Sequence, residues 1–228
     1  MHRLSHRRLR LLLILFCVAS AGMAHATSPS CEPSLFPQTL EGITVAEVKT
    51  GRLPVFLDSE ACSRTEGLCP SKSYLVRGDQ VIAAQTLDSY RCVAFVGRHR
   101  QTTGWVRDDA LMPAHVPASL EWSGTWVRKL GDATLEITPH HGKYTVVAEA
   151  TAQGAEPENV RTGGAHGALI IEGDQAKVID TQGGETCQLQ LQKIGFLVVA
   201  NDGASDDANS PCGGMGVSMN GLYVRQTR

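Results

Sequence analysis

Thr134-Leu135-Glu136-Ile137-Thr138, the link His141-Gly142, and Lys143-Tyr144-Thr145-Val146-Val147-Ala148-Glu149-Ala150 form the passage that decides the fold. Apolar and polar residues alternate on both sides of a short link that ends in glycine. A period of two around such a link is the signature of an antiparallel hairpin with one face buried. The same pattern recurs outward in both directions. Candidate strands are Thr125–Leu130, Thr134–Thr138, Lys143–Ala150, Ala168–Glu172, Ala176–Asp180, Cys187–Gln192, Phe196–Ala200 and Val217–Val224. Further turns are Glu172-Gly173-Asp174, Gly183-Gly184 and Ile194-Gly195. Eight short strands with hairpin-length links predict an eight-stranded antiparallel up-and-down barrel over residues 116–228.

The preceding stretch is also β. Strands are expected at Pro54–Asp58, Ser73–Val76, Gln80–Ala83, Tyr90–Val96 and Thr103–Val106, with a turn at Arg77-Gly78-Asp79. Helix-period stretches are nearly absent, so the fold class is all-β. Two prolines in Leu111-Met112-Pro113-Ala114-His115-Val116-Pro117 mark the boundary between a domain at 40–115 and the barrel. Residues 27–39 are rich in Ser and Pro and are expected to lie extended over the surface, tethered through Cys31.

The N-terminus reads as an address. Arg3, Arg7, Arg8 and Arg10 form a basic head, Leu11 to Ala21 is almost purely apolar, and Ala24-His25-Ala26 offers small residues to a signal peptidase. That order is a secretory signal peptide over 1–26, and the apolar run is shorter than the roughly 20 residues that span a bilayer. Phe16 before Cys17 is not the small residue of a lipoprotein signal. The location expected is the periplasm or the secreted space, with no membrane span in the mature chain. The chain holds 21 Lys+Arg and 23 Asp+Glu. Without the four signal arginines, 17 bases face 23 acids, a net of −6. Such a balance excludes nucleic acid and anionic lipid as electrostatic partners.

Removing Cys17 leaves six cysteines: Cys31, Cys62, Cys69, Cys92, Cys187 and Cys212. An even number in an exported chain implies disulfides. Pairing within domains joins Cys187 to Cys212 and leaves three choices for the other four; Cys62–Cys69 with Cys31–Cys92 is the favoured set. There is no CxxC and no histidine at ligand spacing, so neither a metal nor another cofactor is expected.

The first domain resembles a bacterial SH3-like domain in Tyr74-Leu75-Val76-Arg77-Gly78-Asp79-Gln80-Val81, in Arg91-Cys92-Val93-Ala94-Phe95-Val96 and in Gly104-Trp105-Val106. The resemblance covers roughly 60 residues and implies a small barrel that docks a partner; the Cys62–Cys69 segment departs from it as an insertion. Gly124-Thr125-Trp126 is similar to the first strand of lipocalin-like and other calycin barrels. Cys212-Gly213-Gly214 with Gly221-Leu222-Tyr223 looks like the ending of a group of exported bacterial proteins placed near lysozyme-inhibitor-like proteins, which implies an envelope role.

Trp105 is either a core residue closing the small barrel or a groove aromatic that stacks on a ligand. With Tyr90 and the cations Arg98 and Arg100 it forms the candidate ligand-binding set. His99 and Arg107 extend the basic patch, which suits an anionic cell-wall component or reads as a solvated hairpin. His140 and His141 are expected on opposite faces of a turn, a poor chelate. The passage Thr162-Gly163-Gly164-Ala165-His166-Gly167 is expected as a barrel-rim loop. Asp202, Asp206 and Asp207 lie in an acidic loop without EF-hand spacing. No nucleophile motif or zinc-protease motif occurs.

Those features favour a non-catalytic envelope protein that binds peptidoglycan, or an envelope protein partner, through the SH3-like domain. One alternative is an inhibitor of a cell-wall hydrolase such as lysozyme, using the barrel's acidic loop: its 8 bases and 13 acids leave a net of −5. The other is a small-ligand carrier, which requires a cavity inside the second barrel.

Overall fold

The computed structural model describes residues 29–58, 67–98, 100–117, 121–156, 158–181, 186–204 and 210–226. The chain is all-β. Seven strands form one sheet: β1 (Thr44–Val48), β2 (Arg52–Leu57), β3 (Cys69–Val76), β4 (Gln80–Leu87), β5 (Tyr90–Val96), β6 (Gln101–Arg107) and β7 (Leu111–Pro113). Their spatial order is β3-β2-β6-β5-β4-β1-β7. Eight more follow: β8 (Gly124–Arg128), β9 (Asp132–His140), β10 (Lys143–Gln153), β11 (Val160–Glu172), β12 (Gln175–Asp180), β13 (Cys187–Ile194), β14 (Leu197–Asn201) and β15 (Gly221–Arg225). Each pairs antiparallel with its sequence neighbour, and β15 closes on β8 through Tyr223↔Arg128 and Val224↔Val127. This is the closed up-and-down barrel expected from the alternating pattern.

Inward side chains fill the barrel. Trp122, Trp126, Leu135, Ile137, Val146, Val178, Leu189, Leu191, Met219 and Tyr223 form one buried cluster. A second cluster, with Val48, Leu53, Val55, Leu75, Val81, Val93 and Val106, forms the core of the seven-stranded sheet's own unit.

A third cluster joins the two units. Strand β14 is buried along its whole length. Val198 and Ala200 face the barrel interior, while Leu197 and Val199 face outward into a seam with Leu222, Ile82, Ala84, Cys92, Ala94, Trp105 and Phe36. The run Leu197-Val198-Val199-Ala200 lacks alternation because both of its faces are covered.

The N-terminal segment is therefore not laid over the surface, as its composition suggests. Phe36 is 1 % exposed and Cys31 4 % exposed, both inside the seam. Polar groups fix it there. Asp58 accepts from Ser30 Oγ (2.9 Å) and from the Cys31 amide (2.9 Å) on Oδ2, and from Trp105 Nε1 (2.6 Å) on Oδ1. Asn201 of the barrel donates to the Pro37 carbonyl (2.8 Å). The Cys31–Cys92 disulfide ties the same segment to β5, and Cys187–Cys212 ties the start of β13 to the loop before β15. Cys69 is also disulfide-bonded; its expected partner, Cys62, lies outside the described residues, as does the signal peptide read at 1–26.

Phe36→Ala should cost about 3–5 kcal/mol, the usual penalty for emptying a buried phenylalanine site. Because Phe36 touches both units, thermal unfolding followed by calorimetry should remain one transition at a lower temperature. An unchanged melting curve, or a loss confined to one of two separate transitions, would contradict the seam.

Candidate functional site

Locking the two units together leaves a cleft of about 540 Å³ along one side of the seam. Five short segments build its walls, one of them the end of β10 with Thr151 and Gln153. The N-terminal segment brings Glu32 and Ser34, and β6 brings Gln101 at its first position. The β8–β9 hairpin brings Arg128, Leu130 and Asp132, and the loop before β15 brings Ser218 and Asn220. Arg128 is half-buried, and its Nη1 donates to the carbonyls of Ser218 and Asn220. Among the described residues no carboxylate forms an ion pair with it. Next to it, Lys129 Nζ donates to the Arg98 carbonyl (3.0 Å), which brings the exposed turn carrying Arg98 and Arg100 against the barrel beside the cleft.

The residues singled out from the sequence divide. Trp105 is 0 % exposed and presents no ring face to a ligand. It belongs to the seam between the units rather than to a groove or to the core of its own unit. Tyr90 and Arg107 pair at one end of the β5–β6 hairpin, while Val96 and Gln101 pair at the other, beside Arg98 and Arg100. Six residues of strand at about 3.3 Å each put roughly 20 Å between the two ends. The proposed cluster of Trp105, Tyr90, Arg98 and Arg100 is thus not assembled. Arg107 is also engaged locally. It bonds Asp109 (3.1 Å), which raises the guanidinium pKa and holds the Asp109 carboxyl below its ordinary value. His99 lies outside the described residues.

Three expectations about the barrel are corrected. Residues 162–167 are not a rim loop but part of β11. A Cβ at Gly163 would sit 2.2 Å from the Gly213 Cα, and the Gly164 amide donates to the Cys212 carbonyl (2.8 Å). The two glycines let the disulfide loop approach the strand. His140 and His141 are not on opposite faces: their rings meet edge-on at 4.3 Å, since His141 turns at φ 47°. Asp202 is not a solvated acid. It is 2 % exposed and accepts from Ser210 Oγ (2.6 Å), the Met219 amide (2.7 Å), the Ala204 amide (3.0 Å) and Ser218 Oγ (3.3 Å). A carboxylate so surrounded organises the loop and offers nothing to a cation or a partner's cleft. Asp206 and Asp207 lie outside the described residues.

Two further polar features were not visible in the sequence. His166 Nδ1 meets the buried Asp180 carboxylate at 2.9 Å, and its backbone amide donates to the same oxygen (3.0 Å). The imidazole is half exposed, and among the described residues no hydroxyl or thiol bonds to its ring. No group of three metal-ligating side chains occurs among the described residues. At the end of the barrel near Trp122, Lys193 points inward and is 5 % exposed. Its ammonium lies 4.4 Å from the Trp126 ring centroid and donates to the Gly195 carbonyl (2.8 Å). Burial, then the nearby Arg225, lowers its pKa.

Comparison with known proteins gives no match: no family model, no curated protein and no solved structure aligns significantly with the chain.

Lys193 supplies a pH test. Its folded pKa lies below its unfolded value, so between the two the unfolded chain binds more protons and stability rises with pH. Below the folded pKa the cost of burying the charge is present in full. Lys193→Met should remove that cost, so its stability relative to wild type should be greatest near pH 7 and shrink as pH approaches about 10.5. Urea unfolding at several pH values measures the difference; a difference that stays flat or grows with pH would refute the reading.

Proposed function

We propose that the protein is an exported binding protein of the bacterial envelope, and that the cleft at the seam holds a cell-wall component. One observation carries this reading: two β units contribute to one cleft, and Arg128, Lys129 and the turn with Arg98 and Arg100 line or flank it. Positive charge on an otherwise acidic chain, placed beside a concavity that also offers Ser34, Gln101 and Asn220, favours carboxylate-bearing envelope material over nucleic acid or anionic lipid. The signal pattern at 1–26 and the disulfides Cys31–Cys92 and Cys187–Cys212 fit an oxidising compartment. Among the described residues no helix is long and apolar enough to cross a membrane.

In this reading recognition falls to Arg98, Arg100 and the hairpin at 128–132 rather than to the buried Trp105. Purified protein should pellet with cell-wall sacculi. Arg98→Ala combined with Arg100→Ala, both at exposed positions, should reduce pelleting several-fold without changing the melting temperature. Wild-type protein that stays in the supernatant would overturn the proposal.

A further inference from the structure

Resting on the envelope-binding reading, we infer that the ligand of the cleft is a short peptide carrying both a free carboxylate and a free amine, not a neutral glycan strand. Arg128 is the element that receives the carboxylate. Glycines leave the room it occupies on two sides: a Cβ at Gly131 would lie 3.0 Å from Nη2, and one at Gly221 would lie 2.7 Å from Cδ. Both glycines hold positive φ, at 75° and 152°. Only Nη1 is tied to carbonyls; Nε is buried without a partner and closed to a ligand, which leaves the Nη1/Nη2 edge as the side that meets a carboxylate. A guanidinium held in a slot, with no ion-pair partner among the described residues, has already lost much of its rotamer freedom, and its planar fork matches a carboxylate.

The same cleft carries negative charge. Asp132, exposed at the first position of β9, and Glu32 of the N-terminal segment both line it. A polyanion would meet these carboxylates as like charges. A neutral glycan would leave the Arg128 charge uncompensated in a partly desolvated wall, which is unfavourable. A zwitterionic peptide satisfies both signs: its carboxylate goes to Arg128 and its amine to Asp132. Further carboxylates on such a peptide face the turn that carries Arg98 and Arg100.

Titration calorimetry of the purified full chain tests this with four probes. They are an N-acetylated tetrapeptide containing one lysine and a free C-terminal carboxylate, the same peptide with the lysine acetylated, the same peptide as its C-terminal amide, and a neutral N-acetylglucosamine tetramer. The first should bind. Each blocked peptide should bind about 10-fold more weakly or worse, as expected for losing one charge-assisted hydrogen bond. The glycan should give no heat. Asp132→Asn, a change at an exposed strand end that leaves the Arg128 slot intact, should make acetylation of the lysine immaterial while the free carboxylate is still preferred. Equal affinity for all three peptides, or binding of the glycan alone, overturns the inference. Sacculus pelleting separates the two levels: pelleting without binding of any peptide refutes the ligand class and leaves the envelope reading standing, whereas absence of pelleting removes both.

Discussion

Leu197, Val199 and Leu222 turn outward from the barrel wall and pack against Trp105, Phe36 and the Cys31–Cys92 disulfide. A barrel strand ordinarily presents its outer side chains to water. Here β14 cannot, because it is apolar on both faces. The seven-stranded sheet meets it with an equally two-sided set of strands: Ile82, Ala84, Cys92 and Ala94 enter the seam, while Val81, Ala83 and Val93 fill the core of the sheet's own unit. Each unit thus completes the other's burial. The small sheet alone would leave Trp105 and its neighbours in water, a heavy loss for a domain of its size.

The polar groups that accompany the seam explain why the apolar surfaces meet in one arrangement. Hydrophobic contact is non-directional, so orientation has to come from elsewhere. Asp58 gathers Trp105, Ser30 and Cys31 on its two oxygens, and Asn201 reaches Pro37 across the interface. On the far side, Asp202 gathers Ala204, Ser210, Ser218 and Met219 and so shapes the loop that ends at Asn220. That loop supplies the carbonyls which hold Arg128. The cleft's cation is therefore positioned by a buried carboxylate two contacts away, and the cleft's other wall by the segment pinned at Asp58.

The barrel was legible because alternation survives in its strands: Leu135-Glu136-Ile137 and Leu189-Gln190-Leu191 each put one face in and one out. Strands β1 and β7 were not found, since Thr-Val-Ala-Glu-Val and Leu-Met-Pro are too short to show a period. Gly163 and Gly164 disguised β11 as a loop; a strand tolerates such residues where another backbone comes close, and here that backbone is Gly213. The seam had a signal in Val81-Ile82-Ala83-Ala84 and Leu197-Val198-Val199-Ala200, two runs without polar interruption. Which surfaces those runs cover is a long-range fact that no local pattern carries. The site was half legible for the same reason. Arg98 and Arg100 stood out by charge, but Arg128 gains its meaning only from Gly131, Gly221 and two carbonyls some 90 residues away in sequence.

Chemical-shift mapping during titration with solubilised peptidoglycan fragments tests most directly whether the seam creates the binding site. Perturbations should cluster on residues 128–132 and 216–221 of the barrel together with Arg98, Arg100 and Gln101 of the seven-stranded unit, two sets that come together only because the units are locked. Shifts confined to one unit, or centred on the outer barrel wall around His166, would contradict a binding site made by the seam.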